Sequence, residues 1–203
     1  MTLMTSLILA SASPRRAQLL EQIGLTFRVQ PADINESVLA GEPAEHYVER
    51  LARGKAQRVA SQNPNCLVLG SDTSVVLNGE VLGKPGSEAE AQAMLLRLSG
   101  QTHQVMTAVA LAQGEHCQSS LVVTNVRFRV LSESEITTYV ASGEPMDKAG
   151  GYGIQGLGGI FVSELKGSYS AVVGLPLQET AGLLAEAGHP VWHSWPCSKE
   201  SQI

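Results

Sequence analysis

Ser11-Ala12-Ser13-Pro14-Arg15-Arg16 places two hydroxyls and two guanidinium groups side by side. Pro14 suits the first turn of a helix with Ser13 as N-cap, so the backbone N–H groups that follow add further donors. Such a set attracts anions, phosphate above all, without a P-loop sequence. The same residues also suit an ordinary helix cap with solvated arginines. Asp72 lies in Gly70-Ser71-Asp72-Thr73, between two apolar runs. At the carboxyl end of a strand it can hold a cation or deprotonate water; read locally, it is a turn-forming Asp. Lys55 falls with Val48, Ala52 and Val59 on the apolar face of a helical pattern. It must reach water along the edge of that face or meet an anion, such as Asp72 or a phosphate.

Weaker signals surround these. Lys84 in Gly83-Lys84-Pro85 and Lys148 in Met146-Asp147-Lys148 sit in loops. Glu36, in a polar stretch over 30–42, can join Asp72 around a divalent metal, because Mg²⁺ is held by one or two carboxylates plus substrate phosphates. His189, His193 and Cys197 have helical ligand spacing, but Pro190 and Pro196 interrupt it, so no zinc site is expected. Ser168 and Ser170 have no His/Asp pattern that suggests a triad.

The elements that must position these groups follow from periodicity. Leu7–Ala10 reads as a buried strand and Pro14 to about Ile23 as a helix stopped by Gly24. Phe27–Val29 is a second strand. Residues 44–60 carry the clearest helical period. Cys66–Leu69 reads as a strand ending at the Asp72 segment, and Asn78-Gly79 marks a hairpin. Helices begin at Ser87 and Ser132, with a long hairpin from Gln104–Ala112 to Ser119–Val130 between them. After a glycine-dense stretch, Ile160–Glu164 and Tyr169–Val173 read as another hairpin, and a last helix begins near Pro176. Strands that alternate with helices early and then cluster as hairpins predict a mixed sheet flanked by helices.

Composition sets limits. The 203 residues are 43% hydrophobic and 16% charged, which suits one packed domain, expected over 1–188 with a mobile tail over 189–203. The net charge of −5 argues against nucleic acid as a partner. No apolar run spans a membrane. Met1 to Ala12 is apolar, but no Lys or Arg precedes it, so a secretory signal is not expected. Cys66, Cys117 and Cys197 are odd in number and widely spaced, which fits a reducing cytoplasm.

Taken together and in order, the motifs at 11–16, Leu-Ala-Arg-Gly-Lys-Ala (51–56), 70–73, 83–85, Leu-Ser-Gly-Gln-Thr-His (98–103) and Asp-Lys-Ala-Gly-Gly-Tyr-Gly-Ile-Gln-Gly (147–156) are far more specific than any alone. From about Met4 to Leu184 the chain resembles the Maf family of nucleoside triphosphate pyrophosphatases. The resemblance implies an α/β fold like that of the inosine triphosphate pyrophosphatases, with two lobes around a deep cleft, and a homodimer. It implies cleavage of a nucleoside triphosphate to monophosphate and pyrophosphate with Mg²⁺ or Mn²⁺. By the same resemblance Asp72 matches the proton acceptor, while Ser11, Arg16, Glu36, Lys55 and Lys84 match phosphate- and metal-site positions.

Arg15, Thr73 and Gln155 match the positions that separate branches by base. They look like the dTTP/UTP branch, not the 7-methylguanosine triphosphate branch with Trp, Gln and Glu there. Gln155 offers a donor and an acceptor together, which suits the imide edge of uracil or thymine. The alternatives are the same chemistry on a methylated guanine or modified pyrimidine, and a nucleotide-responsive regulator of septum formation in which catalysis is secondary.

Overall fold

The computed structural model describes residues 6–195. Seven strands form one mixed sheet: β1 (Leu7–Leu9), β2 (Arg28–Val29), β3 (Leu67–Leu77), β4 (Glu80–Leu82), β5 (Thr102–Gln113), β6 (His116–Phe128) and β7 (Val162–Lys166). Their order is β2-β1-β3-β5-β6-β7, with β4 paired to β3. The first three strands run parallel, and the hairpins beyond β3 are antiparallel.

Among the described residues, six α-helices cover this sheet: α1 (Pro14–Gln22), α2 (Ala44–Ala60), α3 (Glu88–Leu98), α4 (Glu133–Ala141), α5 (Tyr169–Val173) and α6 (Leu177–Glu186). Strand side chains alternate between faces. Val68 and Val76 of β3, with Met106, Ala108 and Ala110 of β5, therefore pack under α2. Leu67, Leu69, Val109 and Leu111 face α1 and α6 on the other side. A separate core gathers Val75, Leu95, Leu98, Phe128, Ile136 and Phe161 beneath α3 and α4. These cores make two lobes with a cleft between them. Among the described residues, no helix is long and apolar enough to cross a membrane.

Two expectations change. β3 does not end before Asp72 but continues to Leu77, paired along its length with β5. Small polar residues appear in mid-strand because the opposite edge is open there: β1 pairs with β3 only as far as Leu69, and pairing with β4 starts at Val75. Tyr169–Val173 is a helix, because Ser168 caps it by accepting from the Ala171 N–H at 3.2 Å; β7 pairs with β6 instead. Of the expected tail, residues 189–195 are described. Val191 is buried in a 3-10 turn over Val191–Ser194, and Trp195 Nε1 donates to the Ile23 carbonyl at 2.8 Å. Met4 and Cys197 lie outside the described residues.

Gly70 sets the distance between α2 and β3. A Cβ there would collide with the Ala52 carbonyl and stand 2.6 Å from the Ala56 nitrogen. Gly70→Ala must push the helix away, at about 1–3 kcal/mol of overpacking strain. The expected result is a lower urea midpoint with an unchanged m-value. A midpoint equal to the parent's would remove the proposed close contact.

Candidate active site

Side-chain alternation in β3 builds the centre of the cleft. Even-numbered residues face α2, so Gly70 meets the helix backbone and Asp72, two residues on, meets Lys55. Lys55 Nζ donates to Asp72 Oδ1 at 2.8 Å and pairs with Glu36 Oε1 at 2.8 Å. Lys55 and Asp72 are 9% and 8% exposed, so the pair is largely out of water. Burial pushes the Asp72 carboxyl above the ordinary aspartate range, and Lys55 and Arg16 pull it part of the way back. Asp72 accepts no other side-chain hydrogen bond among the described residues, which leaves its second oxygen for the cleft.

Odd-numbered residues of β3 face the other way and fix the anion loop. Arg16 Nε donates to the Gly174 carbonyl at 2.8 Å, Nη1 to Ser11 Oγ at 3.1 Å and Nη2 to Thr73 Oγ1 at 3.3 Å. Ser11 Oγ also accepts from the Ser13 N–H at 3.2 Å. With both lone pairs engaged, the Ser11 hydroxyl proton is left to donate into the cleft. Ser13 holds the N-cap position of α1, but its side chain makes no cap hydrogen bond.

Thr73 Oγ1 accepts from Thr107 Oγ1 at 3.1 Å as well as from Arg16 Nη2. Buried Thr107 Oγ1 also lies 2.7 Å from the Ala171 carbonyl, which ties the strand pair to α5, just before Gly174.

Glu36 is held by α2. Tyr47 Oη donates to the Glu36 carbonyl at 3.0 Å, and Arg50 grips Glu42 through two bonds of 2.6 and 2.7 Å and the Ser37 carbonyl at 3.0 Å. The hydrogen bonds from Arg50 hold the Glu42 carboxyl down at about 2. Among the described residues, no group of three or more His, Cys, Asp or Glu could hold a metal ion. Asp72 and Glu36, converging on one ammonium, are an all-oxygen pair. That set fits Mg²⁺ or Mn²⁺ drawing its remaining ligands from phosphate and water, and does not fit zinc.

The far wall belongs to the second lobe. Lys84 is exposed there and makes no ion pair or side-chain hydrogen bond among the described residues. Gln155 lines the same wall, and Arg15 Nη1 spans the mouth to Asp147 Oδ2 at 3.3 Å. Lys148 is turned to Asp147 Oδ1 at 2.6 Å and the Glu144 carbonyl at 2.8 Å. Ser11, Arg15, Arg16, Glu36, Lys55, Asp72, Thr73, Lys84 and Gln155 all line this one cleft of about 840 Å³. Sequence reasoning missed Thr107 and Tyr139, which hold cleft residues from outside the lining, and Glu144, which lines the cleft itself.

The chain has relatives that share most of its length. The chain is 60% identical over 183 residues to a dTTP/UTP pyrophosphatase of Shigella sonnei (strain Ss046), covering 90% of this chain and 93% of that protein. It is 57% identical over 187 residues to a dTTP/UTP pyrophosphatase of Myxococcus xanthus (strain DK1622), covering 92% and 95%. A HAM1 protein from Coxiella burnetii, at 17% identity and a TM-score of 0.50 over 90% of this chain and all of that one, shares the fold. The Maf-like protein model matches residues 6–187, which takes in every cleft residue above, and the chain belongs to that family.

Proposed function

We propose that the protein hydrolyses dTTP and UTP to the monophosphate and pyrophosphate with a divalent cation. The names of its relatives support the substrates. The observation that carries the chemistry is the convergence of Asp72, Glu36 and Lys55 at one point in the cleft. Asp72 and Glu36 would hold Mg²⁺ or Mn²⁺, which supplies positive charge to the triphosphate and lowers the pKa of a bound water. Asp72 takes the proton of the attacking water. Arg16, Lys55, Lys84 and the Ser11 hydroxyl neutralise and orient the phosphates, so that stabilisation is mostly electrostatic. Hydrolysis in H₂¹⁸O should place the label in UMP, with unlabelled pyrophosphate released. UDP with inorganic phosphate, or label in pyrophosphate, would rule out attack at the α-phosphorus.

The pyrimidine preference has its own support. Gln155, exposed on the cleft wall, offers a donor and an acceptor together, which suits the imide edge of uracil or thymine. Arg15 only donates, which suits a carbonyl and opposes the cytosine amino group. An unpaired polar group costs ~1–3 kcal/mol, which is about a 5- to 150-fold preference for UTP over CTP in kcat/KM. That ratio is expected to fall toward one in Arg15→Ala. An unchanged ratio would assign Arg15 to the phosphates.

A further inference from the structure

On the same cleft wall as Gln155, one carboxylate is hydrogen-bonded to three separate groups. Glu144 begins a 3-10 turn over Glu144–Asp147. Its Oε2 accepts the Leu157 N–H at 2.9 Å; its Oε1 accepts the Gly158 N–H at 3.1 Å and the Tyr139 hydroxyl at 2.9 Å. The Tyr139 oxygen in turn accepts the Gly153 N–H at 3.1 Å. These bonds close a frame around Gly153–Gly158, the segment that carries Gln155. The fit is tight: a Cβ on Gly156 would collide with the Glu144 carboxylate, and one on Gly158 would lie 2.7 Å from the Tyr139 oxygen.

We propose that Glu144 is a positioning residue for nucleoside recognition: its carboxylate sets the shape of the 153–158 loop, and through it the aim of Gln155. This rests on reading Gln155 as a base-side residue of the cleft. Burial alone would raise the Glu144 pKa, but the two backbone N–H groups, the Tyr139 hydroxyl and Lys148 together lower it. The frame therefore keeps a charged acceptor at neutral pH. It shares no hydrogen bond with Ser11, Arg16 or Lys55, so the triphosphate groove is built without it.

The test is Glu144→Gln, in which the amide NH₂ must face one of the donors. Leaving such a donor unpaired is expected to raise KM for UTP about 5- to 150-fold and to move the UTP:CTP ratio toward one. Inhibition by inorganic tripolyphosphate, which has no nucleoside, should be unchanged. The Leu157 and Gly158 amides should exchange with deuterium faster. Gly156→Ala, which keeps the carboxylate but pushes the loop off it, should reproduce the split between UTP and tripolyphosphate, and it decides the matter if Glu144→Gln does not fold. Tripolyphosphate inhibition that weakens in step with UTP would overturn the proposal, as would a parental KM for UTP in a folded variant. A parent with no preference for UTP over CTP would sink the base reading alone. The loss for whichever triphosphate it hydrolyses, set against tripolyphosphate, would still judge Glu144.

Discussion

Asp72→Asn is expected to lower kcat for UTP by about 10²–10⁴, the usual contribution of a positioned general base. The replacement is isosteric. Its amide oxygen can still accept from Lys55 Nζ, which lies 2.8 Å from Asp72 Oδ1, so the strand and helix keep their contact. The second position becomes an NH₂ that cannot receive a proton. The variant also has one carboxylate fewer, so half-maximal activity should need more Mg²⁺. Turnover, a thermal melt and the metal dependence should be measured on the same preparation. Near-parental turnover in a folded variant would eliminate Asp72 as the base.

Lys55→Met should have the second largest effect. Methionine suits the apolar stripe of α2, so the change removes a charge more than it disturbs packing. Asp72 then keeps Arg16 as its nearest cationic influence, and Glu36 loses its partner. Removing one member of a buried pair costs roughly 3–5 kcal/mol of stability. In the parent, Asp72 has a raised pKa, so its protonated form is the one the fold favours. Without Lys55 that pKa rises further. The stability loss should therefore be largest at neutral pH and should shrink as pH falls through the raised pKa toward the ordinary aspartate range, where Asp72 is neutral in both proteins. The acid limb of kcat/KM should move to higher pH, and kcat/KM at neutral pH should fall at least about 10²-fold, equivalent to about 3 kcal/mol. An acid limb that does not move would mean that a group other than Asp72 titrates there.

What the sequence disclosed depended on whether neighbours along the chain carried the signal. The 44–60 helix was legible because its apolar residues recur at helical steps, and the same steps exposed Lys55 as a charge on the wrong face. The Asn78-Gly79 hairpin was legible because both residues need positive φ, and they have 52° and 83°. Gly70-Ser71-Asp72-Thr73 misled because small polar residues resemble a turn; only the missing partner on one edge of β3 explains them, and that is a tertiary fact. Tyr169–Val173 has strand composition, yet a single capping serine and the fold around it made it a helix. Glu144 left no local signature, since its acceptor bonds reach Tyr139, Leu157 and Gly158, and no periodicity links those positions.

The first helix is completed by residues synthesised late. Arg16, near the start of the chain, is oriented by the carbonyl of Gly174, and the Ile23 carbonyl at the other end of α1 is capped by the indole of Trp195. On a ribosome, both ends of α1 wait for partners more than 150 residues downstream. A chain released before Gly174 lacks the carbonyl that aims Arg16, however well the earlier strands have paired. Fragments from stalled synthesis would carry Asp72 beside a loop at 11–16 that is not yet organised.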